Sequence, residues 1–114
     1  MTDSKSLESM TVDTQADTTL AAAASVSLLQ TVADPVRWAV LQQLAQGPAC
    51  VCNLQEHVPV QGNLLSYHLK VLREAGLVTT SRRGRWVDYA LAGDALARLH
   101  AALPGLPAPG RVRP

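Results

Sequence analysis

Apolar residues recur at helical spacing from residue 20 to residue 75, in a strand-like pattern over residues 77–91, and at helical spacing again after residue 94. Apolar residues spaced three and four positions apart predict a helix over residues 20–33. The same spacing predicts a second helix that begins with Pro35 and ends near Gly47. The α conformation is disfavoured directly before a proline, so Asp34 separates these helices and can cap the second one. Both helices carry an apolar stripe, so we expect each to be partly buried.

Two further helices with a tight turn between them are predicted over residues 53–75. Asn53 followed by Glu56 has the form of a capping box, so the third helix should run from about residue 53 to 57. The fourth should extend over residues 63–75 and end at Gly76, because glycine readily adopts the conformation that closes a helix. These two helices together have the form of a helix-turn-helix.

A β-hairpin and a last helix complete the predicted order. Residues 77–81 and 86–91 are rich in β-branched and aromatic residues and predict two strands, joined by a basic turn over residues 82–85. Asp94 can cap a fifth helix that carries an apolar stripe of Leu96, Leu99 and Leu103 and ends before Pro104. The predicted fold class is therefore mainly α with a small β element (α+β): a winged helix-turn-helix of five helices and one hairpin wing.

The chain has 114 residues, which is room for one domain, since single domains usually run to about 100–200 residues. Its composition sets a flanking segment apart on each side of this domain. Residues 1–19 are polar and predict a disordered arm, residues 20–103 form the domain, and the Pro/Gly-rich residues 104–114 predict a flexible tail. No uncharged apolar stretch approaches the roughly 20 residues that span a bilayer, and the first ten residues do not resemble a secretory signal. We therefore expect a cytoplasmic protein without a membrane partner.

The net charge of +1 conceals an uneven distribution. Residues 1–20 hold four acidic residues against one lysine, whereas residues 21–114 hold nine Lys/Arg against five Asp/Glu. Residues 61–85 alone carry five basic residues against Glu74. Because neutralisation of phosphates dominates affinity for nucleic acids, a polyanionic partner is favoured.

The fourth helix separates apolar from polar side chains. Leu65, Leu69 and Leu72 have the spacing of a buried stripe, and we expect His68 beside them to be a structural histidine. The opposite face carries side chains that suit DNA bases and phosphates: Asn63, Ser66, Tyr67, Lys70 and Arg73. The predicted turn of the hairpin adds Arg82, Arg83 and Arg85. Either group alone could be an ordinary solvated surface, but their adjacency to a helix-turn-helix favours DNA binding.

Three segments of the chain resemble the ArsR/SmtB family of winged-helix repressors. Asp34-Pro35-Val36-Arg37 resembles the family's D-P-x-R helix opening, residues 66–78 its recognition helix and residues 83–91 its wing. The resemblance implies a homodimer built on the first and last helices, which binds double-stranded promoter DNA at an inverted repeat and releases it when an inducer binds. Trp38 and Gly62 depart from the family pattern, and Gly62 lacks a polar side chain that often contacts DNA.

Cys50 and Cys52 are the only cysteines in the chain. If the backbone is extended before a helix that starts at Asn53, residues two apart project to the same side and both thiolates can reach one soft ion such as zinc, cadmium or lead. A pair of small, half-buried apolar side chains is the alternative. A disulfide between residues this close would be strained, so a thiol redox switch is the weaker alternative.

The stretch Cys50-Val51-Cys52-Asn53-Leu54 resembles the inducer site of the arsenic-responsive and the cadmium/lead-responsive members. Gln55 stands where some arsenic-responsive members have a third cysteine, so a solvent molecule or a small thiol would complete the site. Residues 1–49 lack the cysteines that the cadmium/lead-responsive members use, and Asp94 with His100 does not supply the zinc set of other members. The resemblance thus implies arsenite or antimonite as inducer, with cadmium, lead or zinc as alternatives.

The sequence lacks the common motifs of catalytic sites. The chain has no G-x-S-x-G nucleophile elbow, no P-loop and no H-E-x-x-H zinc motif. Cys50 and His57 could be imagined as a nucleophile and base, but the resemblance accounts for the cysteines without one. We expect a DNA-binding regulator with no permanent cofactor.

Overall fold

The computed structural model describes residues 18–105, and within them the chain forms five helices and one antiparallel hairpin. The elements are α1 (18–32), α2 (Pro35–Leu44), α3 (Val51–His57), α4 (Gly62–Glu74), β1 (Val78–Arg83), β2 (Trp86–Leu91) and α5 (Ala95–Ala102). This order confirms the predicted winged helix-turn-helix. The predicted arm and tail fall mostly outside the described residues, but residues 18 and 19, assigned to the arm, are helical.

The boundary between α1 and α2 follows from the predicted cap at Asp34. Its backbone is extended, and its Oδ1 accepts hydrogen bonds from the backbone N–H groups of Val36 at 2.8 Å and Arg37 at 3.1 Å. Pro35 is the first residue of α2, where its missing N–H costs no hydrogen bond. The hydrogen bond from the Arg37 amide is the main reason that the pKa of Asp34 lies below its usual value.

Replacing Asp34 with alanine should cost about 1 kcal/mol of stability, the usual loss for a helix cap. Asp94 provides the matched control, because it occupies the N-cap position of α5 but its side chain makes no capping hydrogen bond. Urea unfolding should therefore show a loss for Asp34→Ala and little change for Asp94→Ala. Since folding lowers the pKa of Asp34, its contribution should be complete at neutral pH and disappear as the pH falls through that lowered pKa. Equal losses in the two variants would contradict this assignment.

The core lies beneath α4, where helices α2 and α3 and strand β1 meet it. The three leucines predicted to form its buried stripe are fully enclosed, as are Val40, Leu54, Leu77 and Val78 around them. Burial of one face of α4 leaves the opposite face in solvent. The core therefore determines which side of the helix can meet a partner.

Helix α4 ends at Gly76, as predicted. Gly76 has a φ of +77°, and the Leu77 N–H donates to the Leu72 carbonyl at 3.0 Å while the Gly76 N–H donates to the Arg73 carbonyl at 2.9 Å. This pair of hydrogen bonds is a Schellman motif. Arg98 of α5 donates from Nη1 to the Gly76 carbonyl at 3.0 Å, so the last helix is attached to the end of α4.

The hairpin has a shorter turn than the sequence predicts. Strands β1 and β2 pair in register up to Arg83 opposite Trp86, which leaves only Gly84 and Arg85 in the turn. The predicted four-residue turn is therefore wrong, since Arg82 and Arg83 belong to β1. Gly84 has a φ of +62°, and a glycine in the first position of a two-residue turn suits the right-handed twist of a hairpin.

Helix α3 begins two residues earlier than predicted. Its N-cap is Cys50, with φ −84° and ψ 170°, and the Cys50 Sγ accepts a 3.4 Å hydrogen bond from the Asn53 N–H. The predicted capping box of Asn53 and Glu56 is thus wrong. The reason is tertiary: Ala49 forms an isolated antiparallel bridge with Tyr89 of β2, which holds the backbone extended up to Cys50.

Several large apolar side chains of α1, α2 and α5 remain exposed, although their helices also contribute to the core. On α5, the predicted apolar stripe is only partly covered, because Leu99 is half-buried whereas Leu96 and the capping residue Leu103 are exposed. Leu20, Val26 and Trp38 are exposed on α1 and α2. None of the helices in residues 18–105 has the length and hydropathy to cross a membrane.

Candidate DNA interface and thiol site

The exposed side of α4 carries the five polar and basic residues predicted to face DNA. Asn63, Ser66, Tyr67, Lys70 and Arg73 are all exposed, and we refer to them as the recognition face. Their spacing places them along one side of the helix, opposite the buried leucines. The chain thus presents an amide, hydroxyl groups and two cations on a single helical surface, a combination that can both contact base edges and neutralise phosphates.

Leu64 is an additional candidate on this helix that the sequence prediction overlooked. Its side chain is 43% exposed at the start of α4, next to Asn63. An apolar side chain in this position can contact the methyl group of thymine in the major groove. The signal in the sequence was a leucine outside the buried stripe at the beginning of a predicted recognition helix.

A partly buried polar contact joins Arg37 of α2 to His68 of α4. The Arg37 Nη1 lies 3.0 Å from the His68 Nδ1, and the Arg37 Nε donates to the Thr31 carbonyl at the end of α1. Because a guanidinium can only donate, Nδ1 of His68 is the acceptor and the ring proton resides on Nε2. His68 is 6% exposed, which confirms the prediction of a structural histidine. Arg37 therefore joins α1, α2 and the recognition helix.

The three arginines of the wing are exposed but differ in their partners. Arg83 forms a two-point ion pair with Asp88, with Nε–Oδ2 at 2.9 Å and Nη2–Oδ1 at 3.1 Å. This contact raises the pKa of Arg83 and lowers the pKa of Asp88. Arg82 and Arg85 have no acidic partner within residues 18–105. The wing thus offers two unpaired cations to a polyanion, Arg82 and Arg85, whereas Arg83 is paired with Asp88 on the neighbouring strand.

The two cysteine side chains converge at the start of α3. Their Sγ atoms lie 2.7 Å apart, with Cys50 half-buried and Cys52 exposed. The predicted convergence is present, although it arises between an N-cap residue and the first helical turn rather than along an extended segment. The hydrogen bond between the sulfurs lowers the pKa of the Cys50 thiol and raises that of Cys52.

This thiol pair supplies two soft donors and no complete ligand set. Within the described part of the chain, no group of three His, Cys, Asp or Glu side chains could hold a metal ion. Gln55, one turn away, donates its amide Nε2 to the Val60 carbonyl at 3.3 Å. The donors fit a soft, thiol-seeking ion whose remaining coordination comes from outside the chain.

Comparison with known proteins identifies the family. Residues 34–80, from the cap of α2 to the start of the wing, match the family model described as "Bacterial regulatory protein, arsR family". The fold is similar to a homodimeric winged helix-turn-helix DNA-binding domain from Mycobacterium bovis, a possible ArsR-family regulator, with 31% identity, 68% of this chain and 72% of that chain covered, and a TM-score of 0.59. The chain belongs to the ArsR family. ArsR-family proteins are DNA-binding transcriptional regulators and not enzymes.

Curated ArsR relatives include repressors with different names. The chain is 43% identical over 76 residues to the transcriptional repressor SmtB of Mycobacterium tuberculosis, covering 67% of this chain and 56% of SmtB. It is 43% identical over 61 residues to the arsenical resistance operon repressor of Bacillus subtilis, covering 53% of this chain and 58% of that repressor. The matched stretch spans a little over half the length of these relatives.

Proposed function

We propose that this ArsR-family chain is a metalloid-responsive repressor that binds promoter DNA as a homodimer and releases it when arsenite or antimonite binds Cys50 and Cys52. The observation that carries the proposal is the 2.7 Å approach of the two sulfur atoms at the first helix of the helix-turn-helix. Free thiols of this kind persist in the reducing cytoplasm, where we place the protein. The similarity to an arsenical resistance operon repressor supports the choice of inducer.

In the DNA-bound state, α4 lies in the major groove and α3 crosses the backbone, as in other helix-turn-helix proteins. The recognition face contacts base edges through Asn63 and phosphates through Lys70 and Arg73. Arg82 and Arg85 of the wing neutralise phosphates beside the groove. The support for this arrangement is the exposure of all these side chains on adjacent elements.

Dimerisation would cover the apolar residues left exposed on α1, α2 and α5. Leu20, Val26, Trp38, Leu96 and Leu103 are each at least half exposed in the single chain. A patch of large apolar side chains is typical of a protein–protein interface. A two-fold symmetric pair presents two recognition helices, so the operator is expected to be an inverted repeat with matching half-site spacing.

A second inducer class also fits this site, since the chain is as similar to the repressor SmtB as to the arsenical resistance operon repressor, with 43% identity to each. Two thiolates at the same site also suit cadmium, lead or zinc. These ions differ from arsenite in the number and kind of additional ligands they need, but not in their requirement for Cys50 and Cys52. The cysteines can therefore be tested before the identity of the ion.

The test measures binding of a labelled promoter fragment by fluorescence anisotropy during titration with arsenite, antimonite, cadmium, lead and zinc. We expect arsenite or antimonite to release the wild-type protein and to leave Cys50→Ser/Cys52→Ser protein bound. Release by cadmium, lead or zinc alone would support the second inducer class. DNA binding that no ion disturbs would overturn the sensor function while leaving the DNA-binding function intact.

A further inference from the structure

The thiol pair is connected to the wing by backbone hydrogen bonds. The Ala49 N–H donates to the Tyr89 carbonyl at 2.9 Å, and the Tyr89 N–H donates to the Ala49 carbonyl at 2.8 Å. Strand β1 occupies the other edge of β2, so residue 49 adds a one-residue third strand to the hairpin. Cys50 follows this bridge directly in sequence, and the backbone between the sulfur atom and the wing is therefore short and hydrogen-bonded.

The same part of β2 carries the ion pair of the wing. Asp88 precedes Tyr89 and holds Arg83 through two hydrogen bonds. A change at Cys50 thus reaches β2 through the backbone, at the residue next to the one that holds Arg83.

A ligand held by both thiols joins two different elements of the chain. Cys52 belongs to the first turn of α3, whereas Cys50 lies next to the segment bridged to β2. Two bonds to one centre fix the distance between the sulfurs, whereas free thiols can each rotate about their own Cα–Cβ bond. Occupation of the thiol pair therefore ties the start of α3 to the segment that is bridged to the wing.

We propose that the thiol pair controls DNA binding through the wing: binding at Cys50 and Cys52 shifts β2 through the Ala49–Tyr89 bridge and draws Arg82 and Arg85 away from the phosphates. This inference rests on the proposed function for its biological inducer. The recognition helix need not refold for release, because the wing supplies part of the phosphate contact. This coupling between the thiol pair and the wing can be tested with a probe that reacts with paired thiols, whatever the natural inducer is.

The probe is phenylarsine oxide, and the reporter is Trp86. Each arsenic forms two As–S bonds with the thiols, and its oxygen leaves with the two thiol protons as water, without oxidation or reduction. The chain has two tryptophans, so Trp38→Phe leaves Trp86, which is 52% exposed beside the wing turn. Because Trp38 lies in the proposed dimer interface, promoter binding by this variant is measured before the probe is added. We expect one equivalent of probe to change Trp86 emission in this variant and to have no effect after Cys50→Ser/Cys52→Ser substitution.

The Ala49–Tyr89 bridge is tested by adding Ala49→Pro to the Trp38→Phe variant, which removes the N–H that donates to the Tyr89 carbonyl. We expect this protein to bind one equivalent of probe, but its Trp86 response and its probe-induced release from DNA should each fall about fivefold or more, the scale of typical allosteric coupling. Ala49→Val retains the N–H and is the matched control, expected to respond like the parent. Thermal unfolding of each variant establishes that it is folded.

Hydrogen exchange in the wild-type protein provides a measurement that does not depend on the proline variant. Bound probe should accelerate exchange of the Tyr89 amide, with little change at amides in the middle of α4. Unchanged Tyr89 exchange with the probe bound, or full DNA release from folded Ala49→Pro protein, would overturn the wing route. If phenylarsine oxide changes Trp86 emission but arsenite does not release DNA, the proposed inducer is wrong and the coupling between the thiol pair and the wing is retained.

Discussion

Replacing both Lys70 and Arg73 with glutamine should flatten the salt dependence of operator binding. Each phosphate contact contributes about 0.9 to the slope of log affinity against log salt, and two residues in each of two protomers correspond to a loss of roughly 3.6. Between 50 and 200 mM salt, the wild-type affinity should therefore fall on the order of 100-fold more than that of the variant. Anisotropy titrations at four or five salt concentrations measure the two slopes directly.

Glu74→Gln is the matched control for the double variant. Glu74 is exposed on α4 next to Arg73, but its negative charge cannot contact a phosphate. Its replacement should leave the slope unchanged and affinity equal or slightly higher. If the slope of the Lys70→Gln/Arg73→Gln protein equals that of wild type, these cations do not contact the DNA backbone and the assigned orientation of α4 is wrong.

Asn63→Ala separates base recognition from phosphate binding on the same helix. Loss of a two-point contact between asparagine and adenine typically costs about 1–3 kcal/mol of discrimination against a wrong base. We therefore expect the variant to retain the wild-type salt slope while losing preference for the operator over unrelated DNA. A change in slope without a change in preference would assign Asn63 to the backbone instead.

Leu65→Ala should produce the largest loss of stability, about 2–5 kcal/mol, because it leaves a cavity beneath the recognition helix. Leu65 is fully buried on α4, the helix that packs against α2, α3 and β1. Each kcal/mol corresponds to about 4–8 °C in a domain of this size, so this change should lower the melting temperature by roughly 10–40 °C. Calorimetry or thermal unfolding followed by circular dichroism measures the shift.

The adjacent leucine gives an unusually close control for this cavity. Leu64 has the same side chain on the same helical turn but is 43% exposed, so Leu64→Ala should change stability by no more than about 0.5 kcal/mol. Any effect of Leu64→Ala should appear in DNA binding instead, where its apolar contact would be lost. Similar melting temperatures for the two variants would contradict the packing of α4 described above.

Local pattern was sufficient to predict the elements that depend on neighbouring residues. The cap at Asp34, the termination at Gly76 and the division of α4 into a leucine stripe and a recognition face all follow from spacing and side-chain type within one or two helical turns. For the same reason, the order of helices and hairpin was predictable without the tertiary structure. The two cysteines could also be expected to converge, because they are only two residues apart.

The structure differs from the prediction where a residue contacts another that is distant in sequence. Helix α3 begins after Cys50 instead of Asn53 because Ala49 is bridged to Tyr89, forty residues later. Arg37 meets His68 across a similar separation. No periodicity within either segment could indicate these contacts, since they depend on how the completed helices and strands pack.

The sequence by itself thus determined the winged-helix architecture, the polar face of the recognition helix and the presence of a dithiol, because these depend on local periodicity and composition. Tertiary structure alone decided that Arg83 is held by Asp88, leaving Arg82 and Arg85 as the unpaired wing cations among the described residues. It also decided that the thiol pair is joined to the wing. Both outcomes arise from strand register and packing, which bring backbone and charged groups within bonding distance only after the chain has folded.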